Sequence, residues 1–264
     1  MRLATWNVNS IRARSEQVVA WMNRHAIDVL AMQETKCTND EFPVMSFIAH
    51  GYDVAFHGTS GYNGVAIASR LGVHEVHNGF DGEPTYNGEI QARAMSATCG
   101  GVRVWSLYVP NGREPGHPHL QYKLDWLGAL ADVTSLELTH DPAAQIALLG
   151  DWNVAPTDED VWDPEYFQGR THTSEIERAA FTKFIDHGFV DSAAPYTPGP
   201  RTFTFWDYQA GRFARNEGMR IDFGLCSPAL NNRIHDAFID REVRATQGAS
   251  DHAPVVFDVS ALTL

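Results

Sequence analysis

What most constrains this chain is a recurring short apolar run, rich in β-branched and aromatic residues. Such runs occupy Leu3–Val8, Val29–Gln33, Tyr52–Phe56, Gly64–Ala68, Ala92–Thr98, Val102–Val109, Ile146–Leu149, Ile221–Cys226 and Pro254–Val259. A strand with one wet face alternates apolar and polar residues, and several of these runs do not, so they predict strands covered on both sides. Helical stretches lie between them. In Ser15–His25, Val18, Val19 and Met22 form one stripe behind a Ser15 cap; in His119–Leu138, Leu120, Leu124, Leu127 and Leu130 fall in register; in Ser174–His187, Ile176, Ala180 and Ile185 do so in part. Helices scattered among buried strands predict one α/β domain over residues 1–264, with two packed sheets and helices on the outer faces. The irregular stretches 112–118, 152–173 and 193–218 carry Trp, Tyr, Phe and Arg, the composition of working loops rather than of disordered ones.

Composition excludes several classes. At 44% hydrophobic residues, the chain has no apolar run near the ~20 residues a membrane span requires. Its opening, Met1-Arg2-Leu3-Ala4-Thr5-Trp6-Asn7, lacks the pattern of a secretory signal, so a cytoplasmic protein is expected. The three cysteines, Cys37, Cys99 and Cys226, have neither disulfide nor zinc spacing and read as reduced, mostly buried thiols. A net charge of -13 argues against a broadly basic coat for nucleic acid. It does not exclude DNA, because a cation site concentrates carboxylates while phosphates need only a local ring of Lys, Arg and amides.

The chemistry lies where the apolar runs stop. Trp6-Asn7-Val8-Asn9, Met32-Gln33-Glu34-Thr35, Leu149-Gly150-Asp151-Trp152-Asn153, Arg220-Ile221-Asp222 and Ser250-Asp251-His252 each end a strand-like segment in short acidic or amide residues. Any one of them is also an ordinary turn. Jointly they put oxygen ligands at the rim of a sheet, a donor set for a hard cation, Mg²⁺ or its substitute Mn²⁺, and so for metal-dependent hydrolysis of phosphodiesters.

In order along the chain, these elements resemble the exonuclease III and abasic-site endonuclease family of the endonuclease, exonuclease and phosphatase superfamily. The resemblance rests on Asn7, Gln33-Glu34-Thr35-Lys36, Tyr108 with Pro110-Asn111-Gly112, and Gly150-Asp151-Trp152-Asn153 with Pro156-Thr157-Asp158. It continues through Phe205-Trp206-Asp207-Tyr208, Arg220-Ile221-Asp222 and Ser250-Asp251-His252-Ala253-Pro254. It implies a four-layer α-β-β-α sandwich of two packed mixed sheets. It also implies a DNA-repair nuclease that cuts 5′ to abasic sites and shortens 3′ ends of double-stranded DNA. No obligate protein partner is evident in the sequence, and a monomer is expected.

The resemblance further implies the roles. Glu34 is the expected principal metal ligand, with Asn7 supporting it, Asp251 completing an outer position, and Asp151 and Asn153 beside the metal handling the attacking water. Asp222 orients His252 toward the phosphate, Tyr108 and Asn111 donate to the scissile phosphate, and the choice of general base stays open. Phe205, Met219 and Ile221 match an apolar pocket that selects a base-free sugar by size, with Trp206 either packed beneath it or wedged against DNA. Arg212 and Arg215, in a loop with Arg220 and one acid, Glu217, are expected at the backbone, as are Arg12, Arg14, Arg113 and Lys123. Asp158, Asp160 and Asp207 read as caps or solvated charges. Of the 12 histidines only His252 is assigned chemistry, and His117, His119 and His172 fall on active-face loops. Two other readings stand beside this one: a phosphodiesterase or phosphatase of the same fold acting on RNA or another phosphate ester, and a silent DNA-binding relative. The latter would lack Glu34, Asp151 or His252.

Overall fold

The computed structural model describes residues 1–261. Four strands come first: β1 (Arg2–Asn7), β2 (Val29–Gln33), β3 (Asp53–His57) and β4 (Val65–Ser69). Six follow: β5 (His74–Asn78), β6 (Ala94–Cys99), β7 (Val102–Tyr108), β8 (Ile146–Asp151), β9 (Val190–Asp191) and β10 (Asp222–Cys226). Two more, β11 (Ile234–Ile239) and β12 (Val255–Val259), return to the first four. The result is two six-stranded mixed sheets, β11-β12-β1-β2-β4-β3 and β5-β6-β7-β8-β10-β9. The sheets share one plan. Each centres on a parallel pair, β1 with β2 and β7 with β8, whose crossover is a helix (Ile11–Arg24 and Pro118–His140); the other pairings are antiparallel.

Three apolar cores account for the layers. Leu3, Val29, Ile67, Val104, Leu149 and Phe257 fill the space between the sheets. Trp6, Val18, Met22, Leu30 and Met32 join the first sheet to the helix Ile11–Arg24. Trp126, Leu127, Leu130, Leu148, Phe181 and Phe184 join the second sheet to the helices Pro118–His140 and Glu175–Asp186. Central strands are thus covered on both faces, as their unbroken apolar runs require. No helix among the described residues is long and apolar enough to cross a membrane.

Local details differ from expectation for physical reasons. The first helix begins at Ile11, ahead of Ser15; Ser10 precedes it with φ 88° and gives no side-chain cap. Tertiary bonds start this helix instead, from the amides of Ser10 and Ile11 to the carbonyls of Glu34 and Thr35. In Glu175–Asp186, Ile176 and Ile185 face solvent, because the helix presents Ala180, Phe181 and Phe184 to Trp152. Ser174 caps this helix in a box with Glu177. The strand β5 was illegible because it is exposed along its whole length and held by backbone pairing to β6.

Candidate active site

The C-terminal ends of the four parallel strands meet. Asn7 closes β1, and its buried amide donates to Glu34 Oε1 at 2.9 Å and to Asp151 Oδ2 at 2.9 Å, so one side chain ties together carboxylates carried by the two sheets. Its oxygen accepts from the Asn9 amide at 3.0 Å, which fixes which end of the side chain faces the acids. Glu34 follows β2 at φ 52°, a left-handed conformation that costs a non-glycine residue energy and marks a position held by its surroundings. Burial pushes the Glu34 carboxyl up, but Lys36, 2.6 Å from Oε2, and the Asn7 amide outweigh it and hold the carboxyl below its usual range. Tyr108, the last residue of β7, faces Glu34; burial, then that charge, push the phenol well above its usual range, so the hydroxyl stays a neutral donor.

A second unit stands beside the first. Asp151 ends β8 and Asp222 begins β10, directly opposite each other in the ladder. His252 Nδ1 lies 2.8 Å from Asp222 Oδ2, and Nε2 lies 3.7 Å from Asp151 Oδ2, all three groups being buried. Burial alone would strip the imidazole of its proton, but Asp222 and Asp151 together raise it to about 10. The two carboxylates therefore favour the protonated ring, and Asp222 at Nδ1 fixes its orientation. Burial drives Asp151 up, to about 7, against the pull of His252.

Asn153 extends the site toward the loops. Its amide nitrogen donates to the Val109 carbonyl at 3.0 Å, leaving Oδ1 to face Asn111 Nδ2 at 3.3 Å and His172 Nε2 at 3.1 Å. The sequence places His172 on an active-face loop without a role; in the structure its Nε2 lies 3.1 Å from both Asn111 Nδ2 and Asn153 Oδ1. Beneath them lies a buried ion pair that the sequence reading missed. Lys123 donates to Glu177 at 2.5 Å, to the Asn153 carbonyl at 2.6 Å and to the Asn111 carbonyl at 3.3 Å. The same Glu177 accepts from Thr171, Ser174 and the His172 amide. Lys123 is wholly buried, so the expectation that it follows a phosphate backbone is wrong; it tethers the loops instead.

The remaining candidates divide. Asp251 accepts from Asn9 at 2.9 Å, at the edge of the cluster. Phe205 packs 4.9 Å from the His252 ring, and Met219 and Ile221 join it in a small apolar cluster. Trp206 is fully buried, its indole donating to Asn216, so it packs beneath the loop and presents nothing to DNA. Both Arg212 and Arg215 pair with Glu217, which reduces the expected local positive charge. Asp160 caps Thr157 and pairs with Arg220, and Asp207 caps Gln209, in line with the reading as caps.

One oxygen each of Glu34 and Asp151 and a ring nitrogen of His252 lie within 4.8 Å of one another. With the imidazole protonated, the donors left are carboxylate oxygens. That set, with no thiolate near it and the Lys36 ammonium already drawn against Glu34, fits a hard divalent cation. Fold and site together define a metal-assisted hydrolase of phosphate esters. Residues 4–252 match the model of the Endonuclease/Exonuclease/phosphatase family, and the chain belongs to that family. It is 32% identical to the exodeoxyribonuclease of Bacillus subtilis (strain 168), over 97% of this chain and 98% of that one. Among solved structures, a Neisseria 3′ phosphatase bound to a product DNA hairpin superposes with TM-score 0.94 at 37% identity, over 99% of this chain and 100% of the other. An AP endonuclease from Archaeoglobus fulgidus superposes with TM-score 0.92 at 36% identity, with the same coverage.

Proposed function

We infer that the chain is a DNA-repair nuclease of the exodeoxyribonuclease III type, hydrolysing the phosphodiester 5′ to abasic sites and removing residues from 3′ ends. The convergence of Glu34, Asp151 and His252 carries this reading: two carboxylates able to hold a cation and a ring able to donate to a phosphate bring their ligand atoms within 4.8 Å of one another. Glu34, with Asn7 and Asp151 beside it and Asp251 at the outer edge, would hold Mg²⁺, for which Mn²⁺ substitutes. When bound, the cation supplies Lewis-acid stabilisation of the charge that develops on the phosphate.

The chain's own residues do the rest. His252, oriented by Asp222, donates a hydrogen bond to a nonbridging oxygen and Tyr108 adds a neutral donor; Asn111, whose amide nitrogen faces Asn153 Oδ1 and His172 Nε2, turns from them to the phosphate when the substrate arrives. Asp151 orients the attacking water, with Asn153 holding the opposite side. Because burial raises the Asp151 carboxyl toward neutrality, it is poised to take the water's proton. Phe205, Met219 and Ile221 receive the sugar 3′ to the scissile bond. The similarity to a 3′ phosphatase favours terminal phosphates as a further substrate of the same site. We place the enzyme in the cytoplasm as a monomer on double-stranded DNA, a setting that its three buried free thiols fit.

The test uses duplexes with one abasic site, a recessed 3′ end or a 3′ phosphate, with Mg²⁺ and with EDTA, and identifies the product ends. Incision leaving a 3′ hydroxyl, lost in EDTA, is expected. Faster turnover of an RNA, phospholipid or inositol phosphate ester would replace the DNA reading with the other phosphoesterase reading.

A further inference from the structure

We propose that the cavity beside the catalytic residues is a nucleobase subsite, one that takes the base of the 3′-terminal nucleotide as it is removed. This deepens the nuclease reading and rests on it.

Size is the first observation. Phe205 and Met219, expected to close around a base-free sugar, instead line one end of a cavity of about 620 Å³. Ligand pockets for organic molecules span roughly 300–1,000 Å³, so this space suits a whole nucleoside and leaves a bare sugar poorly filled. Position is the second. His172 and Phe205 are shared walls: one touches Asn153, the other His252, and both line the cavity. A nucleotide whose 5′ phosphate sits at His252 therefore has its sugar at Phe205, with the cavity directly beyond.

The lining supplies the chemistry that binds bases. Trp162 and Tyr166 pack at 5.0 Å, Arg212 lies over both rings at 5.2 Å and 5.1 Å, and Arg170 lies over Tyr166 at 4.2 Å. Aromatic and guanidinium planes are the surfaces on which unstacked bases settle, and stacking tolerates any base because each has a π-face. Arg170 is held on the Tyr166 ring by the bond from its Nε to the Tyr166 carbonyl at 2.8 Å, which fixes a guanidinium plane in the cavity wall. A cavity meant only for a base-free sugar has no use for these planes.

The test compares a recessed duplex ending in an ordinary nucleotide with the same duplex ending in a base-free residue. Replacing Trp162 by Ala should lower the ratio of kcat/KM on the first substrate to that on the second by roughly 10-fold or more. Trp162 is partly packed in the core, so Tyr166→Leu, at an exposed ring, provides an independent variant with the same expected direction. In the wild type, deoxyadenosine 5′-monophosphate should inhibit at least 10-fold more tightly than 2-deoxyribose 5-phosphate, and both variants should narrow that gap. Equal inhibition by the two compounds, or an unchanged ratio in both folded variants, overturns the subsite. A wild type inert on both duplexes overturns the nuclease reading itself, and the subsite with it.

Discussion

Glu177→Gln tests whether the buried ion pair under the loops holds the site together. Glu177 and Lys123 have no exposed side-chain surface and meet at 2.5 Å, with Thr171, Ser174 and the His172 amide completing the shell of Glu177. The two partners respond differently. Burial works against the carboxylate, yet Lys123 and its other donors hold it down at about 2, whereas burial outweighs the pairing at Lys123 and pulls the ammonium below its usual range. The pair's net contribution is thus smaller than the carboxylate alone indicates, but removing one partner strands the other charge in the interior. That costs about 3–5 kcal/mol. For a chain of this length each kcal/mol moves Tm by roughly 2–4 °C, so a fall on the order of 10 °C is expected in a thermal melt. The double variant Lys123→Met, Glu177→Leu should recover most of that stability, since an apolar pair of similar volume strands no charge. It should not recover turnover, because the carbonyls of Asn111 and Asn153 lose the donor that positions them. A single variant melting with the wild type, or a double variant as unstable as the single and fully active, would refute the reasoning.

Three further outcomes follow from the geometry. Mg²⁺ should raise the Tm of the wild type, by about 3 kcal/mol of linkage at a hundredfold excess over Kd, and Glu34→Ala should abolish the rise in the same calorimetric titration. Asp151→Asn and His252→Ala should each lower kcat by orders of magnitude while DNA binding, read by fluorescence anisotropy in EDTA, stays within a few-fold; near-normal turnover in both would contradict the roles assigned. Glu83, buried against the Trp126 indole, has its carboxyl pushed up to about 7. The unfolded chain ionises first as pH rises from about 4.5, so stability declines up to pH ~7 by roughly 3 kcal/mol, and Glu83→Gln should remove most of that decline when melts at pH 5 and pH 8 are compared.

Much of the site was legible because the strand ends announce it: apolar runs that stop at Asn7, Glu34 and Asp151 put short polar groups where a buried sheet opens, whereas Asp222, expected to end a strand, begins β10 and reaches the same rim because that strand runs antiparallel to β8. The helices were legible as periods but not as faces. Ile176 and Ile185 were assigned inward and point outward, because the larger Phe181 and Phe184 take the core. Lys123 and Glu177 were missed although the signal was present. Lys123 stands three positions after Leu120 and four before Leu127, on the buried stripe, and Glu177 precedes Ala180 and Phe181 by three and four. A charge on an apolar face needs a partner, but which partner depends on how two helices pack, and no spacing along one chain records that. His172 escaped for the same reason: its neighbours Asn111 and Asn153 are local only in space. The sugar pocket was read from Phe205, Met219 and Ile221, and the larger cavity was not, because Trp162 and the short helix Pro164–Phe167 that carries Tyr166 sit in a long connection whose path the sequence does not constrain.

The division of strands between the two sheets also sets an order of assembly. β5 to β10 form one unbroken stretch of chain, so the second sheet can close as soon as Cys226 has emerged from the ribosome. The first sheet cannot, since β1 needs β12 as its neighbour. Asn7 then reaches Asp151 across 144 positions of sequence, and His252 arrives later still. Contacts so distant carry a large loop-closure cost that only the packed cores offset. A chain cut before β12 therefore holds Asp151 and Asp222 without the imidazole that joins them, and the whole constellation exists only when both ends of the sequence have met.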